Sequence, residues 1–353
     1  MIERLPAFEI QGRMIGSGYS CFLIGEAGVN HNGNLETALA LVDRAVGAGV
    51  DAVKFQTFTA ARVVARDAPK AAYQIRTTGS EESQLHMLQK LELSARSHHK
   101  IRTYCEKRGI LFLSTPYDET SADFLESLGV PAFKIPSGEI TNLPFLEHVA
   151  RKGKPMIVST GMSSLQDVGA AVATIRNAGN DKLALLHCVS AYPAEAKDAN
   201  LRAMDTMRRT FGLPIGYSDH TLGTEVGLAA VALGACILEK HFTLNRTIPG
   251  PDHCASLEPA ELGELVRGVR LIETALGHGR KEPMSSESDV AVVARKSIVA
   301  ARDIPAGTSI THELVAMKNP GTGWPPSMLD RVLGRVTVSN IAADTILTDA
   351  CFR

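Results

Sequence analysis

A closed barrel of eight parallel strands alternating with helices is the fold this chain predicts, and three observations predict it. Short apolar runs recur along the chain, each too short for a helix and rich in β-branched or aromatic residues, as buried strands are. Helix-periodic stretches separate them, which implies right-handed parallel crossovers; eight of these in roughly 250 residues suit a (β/α)8 TIM barrel better than an open sheet. Polar residues stand at the downstream end of one run after another, from Glu26 to His241. In such a barrel the carboxyl ends of the strands converge on one mouth, where the chemistry lies.

The elements follow in order. Phe8 to Ser20 alternates around Gly12 and Gly16 and reads as a small hairpin that plugs the barrel bottom. The eight runs are CFLIGEA from Cys21, DAVKFQT from Asp51, ILFLSTP from Ile110, PAFKIPSGE from Pro131, PMIVSTG from Pro155, LALLHCVSAYP from Leu183, PIGYSDH from Pro214 and CILEKHF from Cys236. Helical patterns between them include 35–48, 81–107, 119–128, 164–177, 222–233 and 259–276. The barrel domain is thus 1–277. The polar stretch HGRKEPMSSESD, with Gly, Pro and a serine cluster, makes 278–290 a linker. From 291 to 353 the pieces SIVAARDI, ITHELVAM, LGRVTVSNI and TILTDA alternate with PAG and NPGTG turns, which predicts a compact β-rich module of roughly 60 residues.

Composition excludes some partners. A formal net charge of -1, from 37 basic and 38 acidic residues, argues against broad electrostatic attachment to nucleic acid or an anionic membrane. No apolar stretch reaches membrane-spanning length, and MIERLPAFEI lacks a signal peptide's basic start and apolar core, so the expected location is the cytoplasm. The six cysteines contain no CxxC pair, and Cys21, Cys188 and Cys236 sit inside apolar strands; they read as packing residues in a reducing compartment.

The strand ends carry the chemistry. Glu26 closes the first strand before the loop GVNHNGN, whose glycines permit close approach to a ligand and whose Asn34 is placed to cap the next helix. A carboxylate there must be paired, either with a structural cation or with substrate. Lys54 on the second strand and Lys134 on the fourth are seldom-buried cations; with Gln56, Thr115, Ser137, Ser159 and Thr160 they compose a pocket for phosphate or carboxylate. The plainer reading pairs each lysine with an acid such as Glu26 or Glu139. A third makes Lys134 or Lys240 a Schiff-base lysine. His220 and His241 close the seventh and eighth strands, which are neighbours, and with Glu239, Asp219 and Asp252 nearby they suit a divalent metal or acid–base work. His187 is either a third member or an anion anchor. The loop IPGPDHCASLEP forms a wall of the site.

The segments GEAGVNHNGN, VKFQTF, PKAAYQIRTTG, FLSTPYDE, KIPSGEITNLPFLE, IVSTGM, LHCVSAYP, IGYSDHT, EKHFTL and GPDHCASLEP resemble the sialic acid synthase family, and KSIVAARDIPAGTSIT resembles its C-terminal antifreeze-like SAF domain. The resemblance spans nearly the whole chain in order. It implies a metal-dependent condensation of phosphoenolpyruvate with an open-chain N-acylated amino sugar and water, giving a nine-carbon 2-keto acid and phosphate. It implies that Lys54, Gln56, Thr115, Lys134, Ser137, Ser159, His187 and Ser218 bind phosphoenolpyruvate and that His220 and His241 hold Mn2+ or Mg2+. Glu26, Glu139, Tyr192 and Asp252 would orient the sugar or move protons, with Asn30, Lys318 and Asn319 also at the sugar. It further implies a homodimer that swaps the SAF module over the partner's barrel mouth.

One departure bears on the acceptor. Where the family reads KRPG, with the arginine at the sugar's N-acyl group, this chain reads Lys318-Asn319-Pro320-Gly321, and asparagine lacks the forked cationic contact. Either Lys318 takes that place or the acceptor differs. Within the family the motifs resemble the N-acetylneuraminate and legionaminate branches more than the pseudaminate branch. Two other classes stay open: a metal-independent Schiff-base barrel aldolase, and a carbohydrate-binding protein in which the barrel only supports the module.

Overall fold

The computed structural model describes residues 6–353 and divides the chain into two compact units, one ending at Gly277 and the other spanning His278–Arg353. The first opens with an antiparallel hairpin, β1 (Phe8–Ile10) and β2 (Arg13–Ile15), turned at Gln11 and Gly12. Eight parallel strands follow: β3 (Phe22–Gly28), β4 (Ala52–Thr57), β5 (Leu111–Pro116), β6 (Phe133–Ile135), β7 (Met156–Ser159), β8 (Leu183–Cys188), β9 (Ile215–Asp219) and β10 (Ile237–His241). All eight predicted runs are strands. Their order, β5-β4-β3-β10-β9-β8-β7-β6, makes a nearly closed barrel in which β5 and β6 meet at the seam without a hydrogen-bonded ladder among the described residues.

Side chains alternate across each strand, and that two-residue period separates the barrel into an inside and an outside. Phe22, Ile24, Ala52, Leu113, Ala132, Ile157, Ala184, Leu186 and Ile237 face inward and pack with Phe8, Ile10 and Ile15 of the hairpin, which therefore stoppers the bottom as expected. The intervening positions, among them Leu23, Val53, Phe112, Phe133, Val158, Leu185 and Leu238, join the larger apolar layer beneath the helices. Advancing two residues along the inward parity exchanges apolar for polar: Glu26, Lys54, Thr115, Lys134, Ser159, Ser218 and Glu239, all buried. The site is this upper layer.

The helices show how local capping divides the chain. Asn34 accepts from the amide of Thr37 to start helix Leu35–Ala48, and Gly49, at φ 83°, ends it with its N–H on the carbonyls of Ala45 and Val46. The stretch 81–107, expected as one helix, is two, Gln84–Gln89 and Ala95–Arg108. Ser94 caps the second by accepting from the Ser97 amide, an alternative to continuing the helix that short hydroxyl side chains favour. Two more short helices, Ala60–Val63 and Ala72–Thr78, precede them after β4.

The second unit holds an antiparallel pair, β11 (Ser297–Ala300) and β12 (Val315–Lys318), around a core that includes Ile298, Ile304, Ile310, Val332 and Leu347. Trp324 stacks on Phe352 at 5.6 Å between ring centroids, with the Arg335 guanidinium over both rings. The pieces LGRVTVSNI and TILTDA form isolated bridges, such as Ser309 with Val336 and Val299 with Ile346, in place of full strands. Part of the expected linker is ordered as helix Ser288–Ala294. Among the described residues no helix is long and apolar enough to cross a membrane, and the six cysteines are unpaired thiols.

Candidate active site

The floor of the barrel mouth is a four-charge cluster. Lys54 rises from β4, Lys134 from β6, Glu26 from β3 and Glu239 from β10, each almost wholly buried. Glu239 Oε1 lies 3.7 Å from Lys54 Nζ and 3.6 Å from Lys134 Nζ, while Glu26 Oε2 is 2.7 Å from Lys54 Nζ. Lys54 donates to Thr115 Oγ1 at 2.9 Å, Lys134 to Ser159 Oγ at 2.7 Å, Ser218 to Glu239 Oε1 at 3.2 Å, and Gln56 to Glu26 Oε1 at 3.2 Å. The plainer sequence reading thus holds in one respect: each lysine faces an acid. The acid opposite Lys134 is Glu239, not Glu139.

Charge is unevenly held on this floor. Burial pushes Glu26 up to about 7 against the opposing pull of Lys54. Burial also works upward on Glu239, but the Lys134 and Lys54 ammoniums outweigh it and hold that carboxyl below its ordinary range. Lys54 is drawn above the ordinary lysine value because Glu239 and Glu26 overcome its burial, whereas burial wins at Lys134 and lowers it. With its raised carboxyl, Glu26 is the member of the cluster readiest to take up a proton, which lets the floor accept an anion beside the two lysines. With Pro136, Ser137 and Gly138 these groups line a cavity of about 380 Å3.

The imidazoles stand at one side of the same cavity. His220 follows β9 and His241 ends β10; their ring centroids are 5.4 Å apart. His220 Nδ1 lies 2.6 Å from the Val189 carbonyl, so it carries the proton and leaves Nε2 with a free lone pair. His241 Nδ1 is buried without a hydrogen-bond partner, the Asp252 carboxylate being 3.9 Å away. Burial lowers His220 to about 4 and His241 well below the ordinary histidine value, so both rings are neutral at physiological pH. Among the described residues no third His, Cys, Asp or Glu completes a closed set. Two neutral imidazoles with an orphaned nitrogen fit a divalent ion that keeps positions open for other ligands.

An aromatic wall leads outward. The Tyr192 ring lies 4.2 Å from that of His220 and 5.0 Å from that of Tyr73. Gln56, Tyr73, Tyr117, Tyr192 and His241 line both the floor cavity and an adjoining one of about 450 Å3, which makes them two lobes of one cleft. The outer lobe adds Val63, Val64, Met87 and Leu88 from the short helices after β4, and buried Asp252, whose carboxyl burial raises to about 6.

Several expected residues lie elsewhere. His187 has the outward parity of β8; its Nε2 contacts the Ala199 carbonyl at 2.8 Å, and it faces a separate cavity behind β7 and β8 rather than the anion floor. Thr160 also turns outward and donates to the Leu186 carbonyl. Glu139, in the short turn after β6, accepts from Asn142 at 2.7 Å and does not line the cleft. Asp219 and Lys240, equally outward, pair with each other, which removes Asp219 from the metal candidates and Lys240 from the Schiff-base candidates. Asn30 ties its loop to the Phe242 carbonyl and Ser256 Oγ. Lys318 and Asn319 belong to the second unit and would bear on the sugar only through a partner's mouth; within that unit Lys318 pairs with Asp344, and Asn319 accepts from Lys296. Glu239, expected beside the histidines, proves central to the lysines. Tyr73 and Tyr117 lie outside the strand-end residues expected for the site, and their signal in the sequence is position alone: the long insert after β4 and the residue just past β5.

Residues 41–281 match the NeuB family and residues 295–353 match the SAF domain. The chain is 47% identical over 336 residues to the N,N'-diacetyllegionaminic acid synthase of Legionella pneumophila, covering 94% of each. It is 44% identical over 329 residues to the enzyme of that name from Campylobacter jejuni, covering 93% of this chain and 98% of the relative. The crystal structure of N-acetylneuraminic acid synthetase from Leptospira borgpetersenii in complex with citrate superposes with a TM-score of 0.73 at 35% identity, covering 82% of this chain and 96% of that one.

Proposed function

The chain belongs to the NeuB family, and from that premise we propose that it is a cytoplasmic nonulosonic acid synthase. It condenses phosphoenolpyruvate with an open-chain N-acylated hexosamine and water to give a nine-carbon 2-keto acid and phosphate. The acceptor is N-acetylmannosamine or 2,4-diacetamido-2,4,6-trideoxymannose, with a pseudaminate-type acceptor as the alternative. One observation carries the reading: two buried ammoniums, Lys54 and Lys134, share a cavity floor with a pair of neutral imidazoles, His220 and His241. An anionic enol ester and an aldehyde that must be polarised need that combination side by side.

Each group has a part in this reading. Lys54 and Lys134, with Thr115, Ser137, Ser159 and Ser218, hold the phosphate and carboxylate of phosphoenolpyruvate. His220 and His241 would hold Mn2+ or Mg2+, which when bound acts as a Lewis acid on the aldehyde oxygen. As the enol carbon attacks, positive charge grows on the carbon that bears the phosphate ester, and Glu239 opposes it. Glu26, with its carboxyl raised to about 7, is suited to take the proton of the water that adds there. Phosphate then leaves with C–O cleavage while the lysines neutralise it. Tyr192 and Asp252 flank the sugar in the outer lobe. The reading includes a homodimer in which the SAF module of one protomer covers the partner's mouth.

A second reading, a Schiff-base aldolase acting on pyruvate, takes Lys134 as its nucleophile, since that amine lines the cavity floor and burial lowers it. One experiment separates them. The protein is incubated with phosphoenolpyruvate, Mn2+ and a panel of N-acyl hexosamines including 2,4-diacetamido forms, and phosphate is measured. Acceptor-dependent release abolished by a chelator is expected. Turnover that survives complete chelation, with covalent trapping by borohydride and pyruvate, transfers the assignment to the aldolase.

A further inference from the structure

On the outer face of the barrel, directly behind the histidine pair, lies a fully buried salt bridge that no step above uses. Lys240 Nζ is 2.7 Å from Asp219 Oδ2, with side chains 1% and 0% exposed. The two residues are direct partners on the last paired rung of β9 and β10, after Leu238 with Tyr217 and Glu239 with Ser218. His220 and His241 are the next residues along the two strands. Because side chains alternate, fixing Lys240 and Asp219 outward fixes both imidazoles inward.

The same ammonium closes a loop around His220. Lys240 Nζ also donates to the Thr221 carbonyl at 2.6 Å, and Asp219 Oδ1 accepts from the Thr221 amide at 2.9 Å and from its hydroxyl at 2.8 Å. Residues on both sides of His220 are thus clamped to one cation on the neighbouring strand. Gly227 makes room for the arrangement: a Cβ there would lie 3.2 Å from Asp219 Oδ2. The helix Glu225–Ala232 consequently packs its backbone close to the carboxylate.

Stability alone is a poor reason for this pair. Well-packed apolar residues at a buried ion pair are commonly neutral or stabilising, since both charges must be stripped of water. What an apolar pair cannot reproduce is the directional grip on Thr221 and the strand end. We propose that Lys240 and Asp219 are positioning residues that set the spacing and orientation of His220 and His241 for a divalent cation. This rests on the histidine-pair reading above.

The test uses the full-length protein and Mn2+ alone, with free Mn2+ followed by electron paramagnetic resonance. The double variant Lys240→Met/Asp219→Leu removes both charges together, and circular dichroism checks that it folds. Its Kd for Mn2+ is expected to rise by about 10- to 100-fold, the usual effect of losing groups that orient metal ligands. The KM for phosphoenolpyruvate at saturating Mn2+ stays at the wild-type value, which a general loosening of the barrel would move. If the double variant does not fold, Asp219→Asn, of the same shape, supplies the same readout with about a tenfold loss expected. A wild-type Kd in whichever variant folds overturns this inference alone. A wild-type protein that takes up no Mn2+ overturns the histidine-pair reading and this inference with it.

Discussion

Lys134→Met isolates the anion floor. Methionine keeps the length of the side chain and deletes the ammonium that contacts Ser159 Oγ at 2.7 Å and faces Glu239 Oε1 at 3.6 Å. A hydrogen bond to a charged group is worth about 1.5–3 kcal/mol, so the KM for phosphoenolpyruvate should rise about 10- to 150-fold. Of its two ammonium neighbours Glu239 keeps one, Lys54 at 3.7 Å. At an effective dielectric near 20 it loses about 4 kcal/mol of attraction and ionises less readily. The pH profile gives a second signature. Burial lowers Lys134 from 10.5, so in the wild type this cation is lost as pH rises, before an ordinary lysine would titrate. Affinity for phosphoenolpyruvate falls on the alkaline side in consequence, and the variant lacks that limb. Initial rates of phosphate release across phosphoenolpyruvate concentration and pH measure both. A KM within about twofold of wild type, with the alkaline limb intact, refutes the assignment of Lys134 to the substrate.

Two further outcomes are expected. His220→Ala and His241→Ala should each abolish condensation while circular dichroism stays that of the wild type; full activity in either variant removes that residue from the site. Glu26→Gln should flatten the dependence of stability on pH between about 4.5 and 7. The folded carboxyl titrates above its unfolded value, so the contribution is fully present below pH 4.5 and is lost as pH rises to about 7. The change is up to about 3 kcal/mol in denaturant melts, and an unaltered slope contradicts the raised pKa.

Strand periodicity was the most legible signal in the chain, because buried parallel strands have one composition and end at one face. All eight runs could be placed, and with them Glu26, Lys54, Thr115, Lys134, Ser159, Ser218, His220 and His241. The same rule, applied within each strand, would have turned His187 outward, since it follows Leu186 of the inner layer. It would also have separated Lys240 from Glu239. Glu139 misled because it lies beyond the strand, where alternation no longer fixes direction. The outer lobe was least legible: Tyr73, Met87 and Leu88 sit on short helices after β4 whose placement depends on tertiary packing. In the second unit, strand-like pieces outnumbered actual strands because isolated bridges between loops have no period to read.

The hairpin at the bottom of the barrel has a consequence for traffic. Since Phe8, Ile10 and Ile15 seal that end, everything entering or leaving uses one door. On the proposed chemistry the phosphate-bearing reactant occupies the deepest position and the sugar rests above it. The smaller molecule must then arrive first, with the sugar closing in behind it. Added phosphate should therefore compete with phosphoenolpyruvate for the empty enzyme.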